Sequence, residues 1–375
     1  MPAAPPLCNE PHQSSHCAIV SPGILRSAKG AVFRDPGYHV WCSSVVEGEG
    51  SWWLLYSRWP EKAGHYGWAT HSEIAVAQGP SPTGPFKPLG RVILPAAQSH
   101  PWERDVAHNP TVIADEGRYF LAYMANHGPV TSVAGSVDQP VQMDEAWWVH
   151  RNNQRIGVAI AKHPAGPWET TAKPVLDVCK TGWDCQLVTN PTIFRRAENG
   201  RWTMIYKAVS DGPQPFGGKV RHGVAESDDP QGPYVRQPGA HPFAAETSSF
   251  PAEDPYAWYD KPSGLYRAVV KDMNGDLTGQ GRSLAFYHSK DALQWELSAI
   301  PPVSGAKLMM PDGTLLPCAR IERPQITVDA DGRAVALHVA CLPEGGDGIS
   351  FSVSVPIPPG FFAGNIGEDF YYFEK

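Results

Sequence analysis

Short runs in which apolar and polar residues alternate come in pairs along this chain, and a turn carrying Gly with Asp, Glu or Asn joins most pairs. A two-residue period is that of a half-buried β-strand, and such turns are those of hairpins. Five pairs stand out: "SSVVEGEGSWWLLYSRW", "TVIADEGRYFLAYMA", "TIFRRAENGRWTMIYKA", "AWYDKPSGLYRAVVKD" and "ITVDADGRAVALHVA". In four of the five units a third apolar run follows and ends on an aromatic: "IAVAQGPSPTGPF", "IGVAIAKHPAGPW", "GVAESDDPQGPY" and "LAFYHSKDALQW". These runs predict a third strand, a turn and a short outer strand, so each unit of about 60–80 residues holds roughly four strands.

The units share a further mark. Just before each hairpin a residue precedes proline (or, in the fifth, Arg precedes it) in the stretches "FRDPGYHVW", "AHNPTVIAD", "VTNPTIFRR", "AEDPYAWYD" and "IERPQITVD". The residues before proline are Asp35, Asn109, Asn190, Asp254 and Arg323, at spacings of 74, 81, 64 and 69. Proline is tolerated at the first residue of a strand, where its missing N–H is not needed. A repeated sheet that cannot cover both of its faces buries them by stacking on its neighbours around an axis. The expected fold is therefore all-β: one five-bladed β-propeller spanning 1–375, each blade a four-stranded antiparallel sheet. Blades open near 35, 109, 190, 254 and 323, after an N-terminal segment 1–30. A pair of β-sandwich domains is the alternative, but it gives no reason for five dyads in phase with five hairpins.

Composition agrees. Hydrophobic residues make up 42% and charged residues 18%, enough for a large core, while 36 Gly and 38 Pro suit many short strands and turns. The net charge of −7 and the lack of a long basic run argue against nucleic acid as a partner. No apolar run is long enough to span a membrane, and the first residues do not read as a secretory signal. Localisation stays open between the cytoplasm and a secreted form that lost a leader. The seven cysteines include no CxxC pair, and the histidines no HExxH, so a zinc site is not expected. Cys179 and Cys185 could close a small loop, although reduced thiols are the simpler reading.

Around a propeller axis the five residues before proline converge on one mouth. Arg34, His108, Glu253 and Glu322 lie next to them. Any one Asp-Pro alone reads as a strand-start cap; five in phase read as a pocket. Two carboxylates flanking a bond are the minimum for glycoside hydrolysis, one to protonate the leaving oxygen and one to activate water or attack carbon. Asp35 and Glu253 are the pair chosen here. Adjacent strand residues point to opposite faces, so Glu253 and Asp254 can share the site only through a bulge or at the strand's very start. The proton donor is therefore left open between these two.

This layout resembles the five-bladed glycoside hydrolases of the arabinanase/xylosidase and invertase-like superfamily, over about residues 30–360. The resemblance implies a base on the first blade, matched by Asp35 in "RDPGY", and a Glu acid on a later blade, matched by Glu253 in "AEDPY". The family's middle-blade Asp, which tunes the acid, is replaced by Asn190 in "TNPT"; Asp254, Asp105 and Asp184 are candidates for that role. "RDPGYHVW", "HNPT", "HRNNQRIGVA" and "FPAEDPY" look closest to a branch for which the resemblance implies no particular substrate. It also implies that an axial Ca²⁺ could be held; no cofactor is otherwise required.

Two further stretches add candidates. "EAWWVHRNNQRIGVA" reads as a loop over the mouth, with Arg151 and Asn152 among its donors. Lys271 follows the second strand of blade four. The expected substrate-binding set is Arg34, His108, Asn109, Arg151, Asn152, Asn190, Lys271, Glu322 and Arg323. Guanidinium groups grip carboxylate or sulfate in bidentate fashion, which tilts the expected carbohydrate toward an anionic one. Trp59, His65 and Trp68 could line one side of the cleft. The function expected is exo-acting cleavage of a terminal glycosidic bond. A glycoside phosphorylase and a non-catalytic sugar-binding propeller are the alternatives.

Overall fold

The alternating runs form hairpins, and each hairpin is the inner half of one sheet. The computed structural model describes residues 19–20, 23–27, 29–95, 100–128, 137–245 and 248–362. Blade one runs outward through Tyr38–Gly48, Ser51–Pro60, Glu73–Gly79 and Lys87–Leu94. Blade two holds Val106–Asp115, Arg118–Asn126 and Arg155–Ala161, with a fourth position marked only by the single bridges Ile160–Glu169 and Ile156–Leu176. Blade three holds Leu187–Arg195, Trp202–Val209, Val220–Ser227 and Val235–Arg236. Blade four holds Ala252–Asp260, Leu265–Asp272, Ser283–Ser289 and Glu296–Leu297. Blade five starts at Leu315–Val328 and continues through Ala334–Pro343 and Phe351–Pro356. The five-bladed propeller expected from the repeat is the fold of the chain.

Blade five is completed from the other end of the chain. Val32–Phe33 pairs antiparallel with Phe351–Pro356, matching Ser352 to Phe33 and Val353 to Val32. Phe33 is buried there and meets Tyr56 of blade one edge-on at 4.8 Å. One short strand thus joins the last blade to the first, a closure that the repeat pattern did not reveal. Apolar clusters fill the spaces between blades: Phe120, Val158, Ile193, Trp202 and Met204 pack together between blades two and three.

The dyads are bulges within the inner strands. In every blade the pairing register breaks at the same place: Trp41/Ser44, His108/Thr111, Thr189/Thr192, Glu253/Tyr256 and Glu322/Gln325. One residue at each break has positive φ: Cys42 (46°), Asn109 (56°), Asn190 (49°), Asp254 (56°) and Arg323 (54°). Proline fits there because a bulge leaves its residue out of the ladder. In blade one the equivalent position is thus Cys42, followed by Ser43, and the expected opening at Asp35-Pro36 is corrected. Asp35 precedes the strand: its carbonyl accepts the Tyr38 amide in a turn. Among the described residues no helix is long and apolar enough to cross a membrane.

Candidate functional site

The five bulges lay two rings of side chains around the axis. The deeper ring is Cys42, Asn109, Asn190, Asp254 and Arg323, and hydrogen bonds run along it. Asn109 Nδ2 donates to Asn190 Oδ1 (2.7 Å), and Asn190 Nδ2 donates to Asp254 Oδ1 (2.7 Å). Arg323 donates to the same carboxylate from Nη1 (3.1 Å) and from its amide (3.2 Å), and its Nε reaches Cys42 Sγ at 3.1 Å. Arg323 is 1% exposed. Asn109 Oδ1 and Arg323 Nη2 remain buried without a protein partner. Positive φ suits Asn and Asp and is uncommon for Arg and Cys, so the fold holds the last two in strained backbone at this ring.

The outer ring is the residue before each of these: Trp41, His108, Thr189, Glu253 and Glu322. Directly opposite on the second strands stand Ser57, Met124, Lys207, Lys271 and Ala340. Two of these reach across to the next blade. Lys207 of blade three pairs with Glu253 of blade four, and Lys271 of blade four pairs with Glu322 of blade five. Arg320 joins Glu322 at 3.0 Å.

All of both rings except Cys42 line one cavity of about 340 Å³, in the range of small-ligand pockets. One wall is aromatic. Trp59 stacks on His39 at 5.2 Å and Trp68 on His108 at 5.6 Å, while His65 stands edge-on to Trp41 at 5.4 Å. The wall continues into a helix, Glu145–Asn152, where a loop was expected. Its N-cap Asp144 accepts the Trp147 amide at 2.9 Å, and Trp147 Nε1 donates to the Tyr66 carbonyl. Flat rings and a few polar groups are what a sugar's C–H faces and hydroxyls need.

The carboxylates are pulled apart electrostatically. Burial pushes Glu253 up, but the charges of Lys207 and Lys271 outweigh it and hold the carboxyl at about 2. Burial raises Asp254 to about 6; Arg323 pulls it down, and the neighbouring Glu253 charge pushes it up. Burial keeps His108 neutral and lowers His65 to about 4. The bulge therefore does what a regular strand cannot: it turns adjacent carboxylates, one ionised and one near its midpoint, into the same pocket.

Of the residues named from sequence, His108, Asn109, Arg151, Asn190, Glu253, Asp254, Glu322 and Arg323 line this cavity, as do Trp59, His65 and Trp68. Four do not. Lys271 lies behind the lining, paired with Glu322. Asn152 donates to the Pro215 carbonyl. Arg34 is half exposed, lies over the Phe351 ring and faces Asp347 at 3.8 Å. Asp35 is buried outside the lining, where its Oδ2 accepts Tyr56 Oη and Arg58 Nη1, both at 2.7 Å; Arg58 also binds Glu73. Asp105 holds Arg104 and the Gly128 amide, and Asp184 holds Tyr206 and Arg236, so neither touches Asp254 or Glu253. Lining residues not picked out from sequence include Lys207, Arg320, Trp147 and Trp148. Lys207 could have been found by taking the second-strand residue opposite each dyad. Among the described cysteines, Cys42, Cys179, Cys185, Cys318 and Cys341 are free thiols; Cys8 and Cys17 lie outside the described residues.

Solved structures share the architecture. A family 117 glycoside hydrolase from the marine bacterium Zobellia galactanivorans is 17% identical, over 88% of this chain and 90% of its own, with a TM-score of 0.58. A second protein, described as a glycoside hydrolase, is 15% identical with a TM-score of 0.61, covering 91% of this chain and 93% of its own. A family 43 β-xylosidase/α-arabinofuranosidase from a compost microbial metagenome, solved with xylotriose, is 13% identical with a TM-score of 0.52, over 85% of this chain and 91% of its own. No family model and no curated protein matches. At these identities the likeness is one of fold.

Proposed function

We propose that this propeller is a glycoside hydrolase that cleaves a terminal glycosidic bond in the axial pocket. The observation that carries the reading is the adjacent pair Glu253 and Asp254, brought to one cavity by a bulge and pushed to about 2 and about 6. Two carboxyls whose environments separate their proton affinities divide the work of acid and base. Asp254 is the lining carboxyl whose proton affinity is raised, so it takes up a proton as pH falls toward 6 and delivers it to the leaving oxygen. Glu253, held ionised by Lys207, activates water or attacks the anomeric carbon. Glu322, His108, Asn109 and Asn190 hold sugar hydroxyls, and the aromatic wall stacks on the ring. Asp35 takes no part in the chemistry on this reading. The glycosidase activities of structural neighbours support the reaction class.

The deep ring suits no Ca²⁺. Calcium takes six to eight oxygens, whereas this ring presents a guanidinium and a thiol beside Asp254. Arg323 already supplies the positive charge there, and no step is assigned to a metal.

The test is a panel of aryl glycosides and oligosaccharides, neutral, uronic and sulfated, assayed with wild type and with Glu253→Gln and Asp254→Asn checked for fold by circular dichroism. Each variant is expected to lose two or more orders of magnitude in kcat; near-wild-type turnover removes that residue from the mechanism. Phosphate-dependent release of a sugar phosphate would make the enzyme a phosphorylase instead.

A further inference from the structure

The pocket's charges do not balance. Its lining holds four cations, Arg151, Lys207, Arg320 and Arg323, and three carboxylates, Glu253, Asp254 and Glu322. Lys207 is paired with Glu253, Arg320 with Glu322 and Arg323 with Asp254. Lys271, just behind, adds a second cation on Glu322. Arg151 is left over: it is 9% exposed and meets no carboxylate within ion-pair distance among the described residues. All this sits in a chain whose net charge is −7.

What holds Arg151 is neutral. Its Nη1 donates to the Phe216 carbonyl (2.6 Å) and to Asn152 Oδ1 (2.8 Å), and its guanidinium faces the rings of Phe216 at 4.6 Å and Trp148 at 5.6 Å. These contacts fix the plane of the group without cancelling its charge. Burial lowers Arg151 to about 10, the Glu253 charge opposing, so it stays cationic at neutral pH. A buried cation without a counter-ion is costly, and a ligand that brings the missing anion recovers that cost on binding. A flat, pre-oriented guanidinium fits a carboxylate edge-on.

We propose that Arg151 is the residue that selects the substrate, and that the sugar bound in this pocket carries a carboxylate. The proposal rests on the axial pocket being the sugar site. Its chemistry is shared with free oxyanions such as phosphate, so the experiment separates the two sources.

The test is calorimetric titration of the full chain with D-glucuronate, D-galacturonate, D-glucose, D-galactose and inorganic phosphate, using wild type, Arg151→Lys and Arg151→Gln. The expected result is that at least one uronate binds wild type tenfold or more tightly than its neutral counterpart. The ratio falls toward one in Arg151→Gln and is partly kept in Arg151→Lys. A merely structural Arg151 would lower the melting temperature of both variants and leave the ratio unchanged, which overturns the proposal. So does equal binding of uronate and neutral sugar by wild type, or phosphate binding that depends on Arg151 without uronate binding. Binding needs no turnover, so the two readings fail separately. Uronate selectivity lost in Arg151→Gln without hydrolysis of any glycoside sinks the hydrolase and keeps this inference. Hydrolysis of neutral glycosides alone does the reverse.

Discussion

Asp254 and Asp35 show how differently two Asp-Pro pairs can be employed. Asp254 sits on the axis with a raised proton affinity, so its acid role predicts a definite pH profile. kcat/KM should fall about tenfold per pH unit above roughly 6, as the proton is lost. A flat profile from pH 5 to 8 would rule Asp254 out as the acid. Asp35 instead ties Arg58 and Tyr56 together outside the pocket lining. Asp35→Asn is expected to cost about 1–3 kcal/mol of stability, because Arg58 keeps Glu73 but loses a buried partner. Its turnover below the melting transition should match wild type; a drop of orders of magnitude in a folded variant would return Asp35 to the mechanism. Lys207 belongs with these residues. In Lys207→Met the Glu253 carboxyl loses its nearest cation, so its proton affinity should rise. That would show as a new acid limb in the pH profile, with activity lost as pH falls; an unchanged profile would mean that Lys207 does not control Glu253.

At the level of elements, the hairpins were legible because alternation, turn chemistry and Pro-Gly-Pro ends all agree. The dyads mark the axial position in four blades and not in the first, but they read as strand starts, whereas the structure sets them inside the strands as bulges. Asn109 stands six residues before the end of its strand at Asp115, and Asp254 six before Asp260. The same count back from Gly48 lands on Cys42, not on Asp35. The acidic dyad drew the eye because its composition matched the others, while the geometry repeated through "WCSS", which shares neither Asp nor Pro. Helix Glu145–Asn152 was read as a loop because its run of polar donors has no apolar stripe. Its two tryptophans face the rim, and Asp144 caps it. Arg151 stands out in the sequence by residue type alone; what no sequence pattern carries is that, among the described residues, every other cation lining the pocket has a carboxylate partner and this one does not.

At the scale of the whole molecule, stability leans on ring closure and on buried neutral groups. Phe33 links blade five to blade one, packing on Tyr56 and, at 6.4 Å, on Phe86. Phe33→Ala is expected to cost about 3–5 kcal/mol in denaturant unfolding. A loss below 1 kcal/mol would show that closure does not depend on this side chain. Five histidines are held neutral by burial: His39 and His65 are lowered to about 4, His222 and His338 to about 3, and His108 well below its ordinary value. An unfolded chain binds protons at these groups from pH 6.5 downward and the folded chain does not, so stability should fall steadily as pH drops from 6.5 toward 4. Asp254 works in the opposite direction, but as one group against five. Melting temperatures that hold level over that window would contradict this account.

The closing strand also dates the assembly of the site. Val32 and Phe33 are translated long before their partners Ser352 and Val353. Until those partners are made Val32–Phe33 has no strand to pair with, and until blade five is begun the carboxylate that Lys271 holds is missing too. A nascent propeller is thus an open arc with two raw edges, which sheets can use to pair with other chains. Premature stops in blade five should give aggregates rather than partially active enzyme.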